Sequence, residues 1–216
     1  MSDHLVLAHG WGFGPGVWRP MLRHLPEVTF HAVNLGYFGP GDTSLPTQQQ
    51  PFVAIGHSLG VPWLLRHLTS HRNQCRGLIS INGFSRFANT ADFPTGVGRR
   101  ILDRMRNQLQ TDPHAVLHAF QQQAGLPTPL PLPAKPDITT LTEGLTWLCE
   151  WDEHNTLNHW PLPMMAIASR DDRIVTPAMT EATFSQETIH WLPEGGHLLP
   201  LTQPATVASL VRTLLP

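Results

Sequence analysis

The chain has 216 residues, of which 41% are hydrophobic and 14% charged, and its formal net charge is −2. This length and composition predict one domain with a sizeable core, and the small net charge argues against a nucleic-acid partner. No apolar run approaches the roughly 18 residues that span a membrane, and the start does not resemble a signal peptide. The two cysteines, Cys75 and Cys149, have neither metal spacing nor a disulfide framework. We therefore expect a soluble, cytoplasmic protein with no metal and no membrane contact.

The N-terminal part of the chain alternates predicted strands and helices. Short apolar runs predict strands at 5–8, 29–34, 52–55 and 77–82, and helices are predicted at 17–25 and 61–68. A polar segment rich in glycine and proline, with weak helical periodicity, fills 35–51. The β-α-β order favours a parallel sheet that is covered on both faces.

The pattern changes after residue 82, because no convincing strand is predicted between 83 and 160. Helices are predicted there at 97–109, 113–124 and 138–150, and the proline-rich run 127–133 is a predicted extended connector. The first of these helices is amphipathic, with one apolar face made of Ile101, Leu102, Met105 and Leu109. Strands at 164–169 and 188–192 then resume the alternation, with helices after Pro177 and at 204–215. We predict an α/β core at 1–82 and 161–216, with a helical lid inserted at 83–160.

The centre of the pattern is Gly56-His57-Ser58-Leu59-Gly60, between a predicted strand and a predicted helix. This is G-x-S-x-G in the strand-turn-helix context that the motif requires. A serine hydroxyl needs a base to become nucleophilic, and a tight turn projects it clear of the backbone. The two glycines leave room for the helix to pass close to the strand. Ser58 is the candidate nucleophile.

A glycine-rich turn, His9-Gly10-Trp11-Gly12, follows the first predicted strand. Such a turn can aim a backbone N–H at a ligand. In an acyl-transfer enzyme, the N–H groups of Trp11 and Leu59 would form the oxyanion hole. The alternative is an ordinary loop with a packed tryptophan.

Candidate acid and base residues follow two late strands, and the carboxyl ends of parallel strands are where ligands bind in such sheets. His197 comes after a Gly-Gly turn and is the candidate general base. Either Asp171 or Asp172 would orient it, and we favour Asp172 because its position suits a turn into the following Thr-Pro. We expect His57 to pack beneath Ser58 or line the rim, and His9 to stabilise its turn.

Four arginines fall within eight residues of the predicted helix 97–109: Arg99, Arg100, Arg104 and Arg106. They form a local positive patch in a chain that has only 14 basic residues. One interpretation is a solvated helix face. The other is a site for an acidic carrier protein or for the carboxylate of an acyl substrate.

The four motifs together, around Trp11, Ser58, Asp172 and His197, resemble the α/β-hydrolase superfamily over essentially the whole chain. Within it, finer cues resemble the carboxylesterases of biotin synthesis that act on pimeloyl-[acyl-carrier protein] methyl ester. Those cues are Val17-Trp18, Phe120-Gln121-Gln122-Gln123 and the run 141–145. The resemblance implies a serine esterase without a cofactor, an acyl pocket lined by Trp11 and Phe120, and a small acyl ester substrate on a carrier protein.

The chain departs from the superfamily pattern in two places. The first two strands are absent, because Leu5 begins what resembles the third. The helix between the predicted strand 29–34 and the elbow strand is missing or vestigial. We therefore expect a reduced, mostly parallel sheet of about six strands. An exposed sheet edge could support dimerisation, and we expect a monomer or a weak dimer.

Two alternative functions remain open on the sequence. The same fold could carry a C–C hydrolase or lyase of quinone or aromatic metabolism, or a non-catalytic member that only binds its ligand. A haloalkane dehalogenase is disfavoured because Ser58, rather than an aspartate, holds the nucleophile position. Activity on simple nitrophenyl esters would discriminate in favour of the esterase.

Overall fold

The computed structural model describes residues 3–46, 50–71, 73–126 and 128–215. Residues 47–49 of the predicted Gly/Pro-rich segment and residue 127 of the predicted connector lie outside these ranges. The described chain contains one six-stranded sheet with the order β2-β1-β3-β4-β5-β6. The strands are β1 (His4–Ala8), β2 (Thr29–Val33), β3 (Phe52–His57), β4 (Cys75–Ile81), β5 (Met164–Ser169) and β6 (Ile189–Leu192).

Every neighbouring pair in the sheet is parallel, so all six strands end at the same edge. The central strand β3 is buried along its whole length, as its continuous apolar run predicts. The prediction of a reduced, mostly parallel sheet of about six strands is confirmed. β2 is an edge strand on which Phe30 is 51% exposed.

Helices cover the sheet and form the insertion between β4 and β5. They are α1 (Arg19–Leu22), α2 (Gly60–His67), α3 (Arg99–Leu109), α4 (Pro113–Gln123), α5 (Ile138–Glu150), α6 (His154–Asn158), α7 (Pro177–Thr183), α8 (Leu199–Thr202) and α9 (Pro204–Arg212). Neither α6 nor α8 was expected from the sequence. None of the described helices has the length and apolarity that crossing a membrane requires.

The prediction of a continuous helix at 17–25 is wrong. The segment is a 3₁₀ turn at Pro15–Trp18 followed by the single turn of α1. Pro20 lies in the first turn of α1. A proline is tolerated only at that position because its nitrogen carries no hydrogen and its ring clashes with a preceding turn.

The described residues 34–46 and 50–51 contain no helix, in agreement with the expected loss before the elbow strand. Within the described part of 83–160, isolated bridges occur but no strand. Two of the inserted helices have the side-chain caps that their sequences favour. Asp112 accepts a hydrogen bond from the Ala115 N–H at 3.0 Å, and Asp137 accepts one from the Thr140 N–H at 2.8 Å.

The predicted apolar face of α3 is only partly buried. Leu102 and Leu109 are in the core, and Met105 is half-buried. Ile101, which was expected on the same face, is 54% exposed. The reason is that Ile101 and Met105 line a cleft rather than a packed interface. We call α3–α6 the inserted helices below.

Candidate active site

Ser58 lies at the elbow between β3 and α2. Its φ is +54°, in the left-handed region that non-glycine residues rarely occupy. A Cβ on Gly56 would lie 2.7 Å from the Val61 nitrogen, and one on Gly60 would overlap the Ala8 carbonyl. Glycine is therefore required at both flanking positions, because α2 passes directly over β3 and β1. The Ser58 N–H donates to the Ile81 carbonyl of β4 at 3.1 Å and fixes the elbow to the sheet.

His197 and Asp172 form a buried pair at the same edge of the sheet. The imidazole Nδ1 lies 2.8 Å from Asp172 Oδ2, and both side chains are fully buried. The other carboxylate oxygen, Oδ1, accepts the backbone N–H groups of Ile174 at 2.8 Å and Val175 at 3.1 Å. Because a carboxylate only accepts, the His197 proton lies on Nδ1 and a lone pair is left on Nε2. Nε2 is buried and has no hydrogen-bond partner among the described residues.

Asp171, the alternative acid, points away from the imidazole. Its Oδ1 accepts the Ser169 hydroxyl at 2.5 Å and the Gly196 N–H at 2.8 Å. Burial raises the pKa of Asp171, but these hydrogen bonds outweigh burial and the net pKa is lowered. Asp171 therefore holds the turn that carries His197, whereas Asp172 contacts the ring.

His57, the residue before Ser58, contacts His197. The His57 ring lies 4.8 Å from the His197 ring, centroid to centroid, and its Nε2–H donates to the His197 carbonyl at 2.8 Å. No hydrogen bond joins Ser58 to His197 Nε2 in the described chain. Such a bond is often formed only when substrate is bound.

His57 and His9, which lie next to the elbow serine and in the turn after β1, are both fully buried. Burial lowers the pKa of His57 well below its usual 6.5, and the neighbouring His197 lowers it further. Burial lowers the pKa of His9 to about 4. The His9 ring bridges its turn, with Nδ1–H donating to the Gly10 carbonyl at 2.9 Å and Nε2 accepting the Leu35 N–H at 3.1 Å. Both rings are neutral near pH 7, so neither brings a charge to the site.

The turn after β1 lies directly against the elbow. A Cβ on Gly10 would lie 2.8 Å from the Ser58 Cβ. In the described chain, neither the Trp11 N–H nor the Leu59 N–H donates a backbone hydrogen bond. The Trp11 side chain reaches the inserted helices, where its Nε1–H donates to the Leu141 carbonyl of α5 at 2.8 Å. Its ring meets the Phe120 ring of α4 edge to face, with the centroids 4.9 Å apart.

A narrow cleft opens from Ser58 between the sheet and the inserted helices, with a cavity volume of about 60 Å³. Its walls are mainly apolar, and Gln123 and Arg173 are its polar members besides Ser58. The apolar lining consists of Trp11, Phe87, Val97, Ile101, Leu102, Met105, Phe120, Leu148 and Ile174. Both residues expected in the acyl pocket, Trp11 and Phe120, thus line this cleft.

The four arginines lie on α3, the helix that borders the cleft. Arg106 is paired with Asp103 at 2.8 Å. Arg99, Arg100 and Arg104 are exposed and have no acidic partner within 4 Å in the described chain. Arg100 and Arg104 line the same shallow groove, as their spacing on a helix requires. The patch therefore carries three arginines without a counter-ion among the described residues.

Sequence reasoning missed Asn82, which lies immediately after β4. It is 2% exposed, has a φ of +43° and bonds to the turn that carries His197. The dipeptide Asn82-Gly83 is a turn signal that could have drawn attention to it. Its partners in that turn lie more than a hundred residues away in the chain, so no local pattern could have named them.

Residues 5–210 match the alpha/beta hydrolase family. With the parallel sheet and the elbow serine, this match establishes that the chain belongs to the alpha/beta hydrolase family. The solved esterase EaEST from Exiguobacterium antarcticum superposes with a TM-score of 0.83 at 16% identity and covers 99% of this chain and 93% of its own. A bromoperoxidase from Bacillus anthracis superposes with a TM-score of 0.82 at 17% identity, covering 99% of this chain and 92% of its own. Likeness at this identity shows the fold alone.

The chain is more similar in sequence to two curated proteins. The chain is 30% identical over 199 residues to the pimeloyl-[acyl-carrier protein] methyl ester esterase of Xanthomonas axonopodis pv. citri, covering 81% of this chain and 78% of the relative. It is 27% identical over 235 residues to the protein of the same name from Yersinia pseudotuberculosis, covering 96% of this chain and 91% of the relative. The protein is therefore an enzyme of the esterase type within the alpha/beta hydrolase family.

Proposed function

We propose that this protein is a serine carboxylesterase that hydrolyses pimeloyl-[acyl-carrier protein] methyl ester in biotin synthesis, through Ser58, His197 and Asp172. One observation carries the reaction type: the buried 2.8 Å contact of His197 with Asp172 lies at the same sheet edge as a serine held at positive φ. The names of the Xanthomonas and Yersinia relatives support the substrate.

The first half of the reaction makes an acyl-enzyme. Ser58 Oγ attacks the ester carbonyl carbon while its proton moves to Nε2 of His197. The carbonyl oxygen becomes an oxyanion and accepts the N–H groups of Trp11 and Leu59. Collapse of this intermediate breaks the bond to the methoxy group, which leaves as methanol with the proton from Nε2.

The second half releases the acid. A water molecule gives a proton to Nε2 of His197 and attacks the acyl carbon, and Ser58 Oγ leaves and recovers a proton. Asp172 keeps the imidazole in the Nδ1–H tautomer and stabilises the imidazolium formed in each half. Every proton transfer uses residues of this chain, and the proposed reaction needs no cofactor.

The apolar lining of the cleft favours an acyl ester over a polar substrate. Its apolar walls suit a methylene chain, and the side chains of α3 and α4 that close it would decide which chain lengths fit. We propose that the inserted segment 83–160 acts as the lid over this cleft, with the rest of the chain as the core. The cytoplasmic location stays a prediction from the sequence.

The first experiment measures the activity of the wild type and of Ser58→Ala on nitrophenyl esters from two to twelve carbons and on methyl pimeloyl-carrier protein. Removing the proposed nucleophile should lower kcat/KM by several orders of magnitude. Ser85→Ala is the matched control, because Ser85 is also a buried serine without a hydrogen-bond partner for its hydroxyl in the described chain. A wild type inert on every ester would favour the C–C hydrolase, lyase or binding function.

The arginine patch supports an acidic carrier protein as the partner. Reversing the exposed pair with Arg100→Glu and Arg104→Glu should raise KM severalfold for the carrier-bound ester and leave small esters unaffected. Arg76→Glu is the matched control, because Arg76 is exposed near the start of β4, at the opposite edge of the sheet. Equal effects on carrier-bound and small esters would contradict the docking interpretation.

A further inference from the structure

Asn82 has an unusual backbone conformation. Besides Ser58, it is the one described non-glycine residue with positive φ, at +43°. Asparagine tolerates the left-handed region better than most residues, but the conformation is still strained and persists only where the surrounding structure imposes it. Strained residues of this kind cluster at functional sites, and the two examples here lie at the ends of adjacent strands, β3 and β4.

The amide of Asn82 connects three elements. Its Oδ1 accepts the Ser169 N–H at the end of β5, at 3.0 Å. Its Nδ2 donates to the carbonyl oxygens of Gly196 and His197, both at 2.9 Å. The orientation of the amide is fixed by chemistry, because a backbone N–H can only donate and carbonyls can only accept. All these groups are buried, so a lost bond could not be replaced readily by water.

The backbone that Asn82 holds has little stiffness of its own. Gly195 and Gly196, with φ of +135° and +62°, precede His197 and place no side chain in the core. Glycine backbone is the most flexible in the chain. The hydrogen bond to Asp172 orients the imidazole, but the position of Nε2 also depends on where the His197 backbone lies.

Four further contacts hold the same turn in the described chain, and of its partners only Asn82 holds two of its carbonyls. One is the Thr202 hydroxyl, which donates to the Gly195 carbonyl at 2.6 Å. Asp171 accepts the Gly196 N–H at 2.8 Å, His57 donates to the His197 carbonyl at 2.8 Å, and the His197 N–H donates to the Ala124 carbonyl at 3.1 Å. Among the described residues, the Asn82 side chain is the one that joins the turn to the ends of both β4 and β5, which pair in the sheet.

We propose that Asn82 is a positioning residue that holds the Gly196-His197 backbone so that Nε2 of His197 faces Ser58. This rests on the proposed function, because it presumes that His197 is the base. Asn82 does not touch the cleft, so its contribution is to the rate of the Ser58 reaction and not to substrate binding.

Asn82→Gly is the first test, because glycine keeps the positive φ accessible and removes the amide. Its kcat should fall about tenfold or more with KM unchanged. The rate constant with which a small fluorophosphonate labels Ser58 should fall by the same factor. Both rates are expressed per site that can be labelled, so that unfolded protein does not count. Ser80→Ala is the control: Ser80 is buried in the same strand, its hydroxyl has no described partner, and kcat should be unchanged.

Asn82→Asp separates hydrogen-bond donation from shape. The substitution keeps the size, the tolerance for positive φ and the acceptor for Ser169, but a carboxyl donates at most one hydrogen bond and a carboxylate none. Its kcat should also fall, and a wild-type kcat in Asn82→Asp would overturn the proposal. It also serves as the test if Asn82→Gly fails to fold.

The outcomes separate this inference from the proposed function. If the wild type is labelled, Ser58→Ala is not, and both Asn82 variants react at the wild-type rate per labelled site, only the role of Asn82 is refuted. A loss confined to melting temperature and folded fraction, with wild-type kcat per labelled site, refutes it equally. If Ser58→Ala keeps its activity, the proposed function fails and the role of Asn82 fails with it.

Discussion

The replacement of Asp172 by asparagine tests the assignment of the acid most directly. Asp172 Oδ1 accepts two backbone N–H groups, from Ile174 and Val175, while Oδ2 accepts the Nδ1–H of His197. The single amide oxygen of an asparagine at this position can accept either the two backbone N–H groups or the Nδ1–H of His197, but not all three. If its oxygen keeps the two N–H groups, its NH₂ faces Nδ1 and forces the proton onto Nε2, where the ring can no longer act as a base.

The size of the effect follows from the two amide orientations. The active orientation turns the NH₂ toward the Ile174 and Val175 N–H groups and leaves two buried donors unpaired, at about 1–3 kcal/mol each. The inactive orientation is therefore favoured by about 2–6 kcal/mol. Since about 1.4 kcal/mol is tenfold in rate, kcat/KM for Asp172→Asn should fall between about 30-fold and about 2 × 10⁴-fold.

The assay is kcat/KM on the best nitrophenyl ester, with circular dichroism to verify folding. Asp171→Asn is the matched control, because its amide oxygen can still accept the Gly196 N–H and the Ser169 hydroxyl. This control should lose less than about tenfold. The reasoning is refuted if Asp172→Asn stays within threefold of the wild type, or if Asp171→Asn is the more damaged variant.

Two further predictions concern stability. The pKa of His9 is lowered to about 4 and that of His57 is also lowered, so the unfolded chain binds protons below about pH 6.5 that the native state excludes. The free energy of unfolding, measured with urea, should therefore decrease as the pH is lowered, by about 2 kcal/mol from His9 alone between pH 7.5 and 5. A pH-independent unfolding midpoint would contradict this. Gly144→Ala would place a Cβ 2.6 Å from Trp11 Cδ1. The melting temperature of this variant should therefore fall and its KM for esters should rise, although alanine is the better helix former by about 1 kcal/mol. Gly98→Ala is the control, because its Cβ would meet nothing within 4 Å, and an unchanged melting temperature in Gly144→Ala would refute the close contact.

The differences between the predicted and observed elements have local physical causes. The segment predicted as one helix at 17–25 splits because Pro20 can occupy only a first helical turn. Ile101 has the spacing of a core residue, but the face it occupies borders an open cleft. Periodicity reports which residues share a helix face, and it does not report whether another element covers that face.

The elbow was determined by the sequence alone. Five consecutive residues, from Gly56 to Gly60, specify a turn whose close contacts only glycine permits, and the adjoining apolar run and helix give its context. The parallel sheet could also be predicted, from the alternation of strands and helices. Both the elbow and the alternation are patterns of residues that are close together in the chain, which is why the sequence alone reveals them.

Only the tertiary structure decided how the remaining groups meet. Asp171 and Asp172 are neighbours with the same chemistry, and the turn at the end of β5 sends one to the Gly196 backbone and the other to the His197 ring. Asn82 joins that turn from 115 residues away. Trp11 reaches its partner on α5 across 130 residues. Such contacts depend on how the strands and the inserted helices pack, and a local sequence pattern carries no information about packing at that distance.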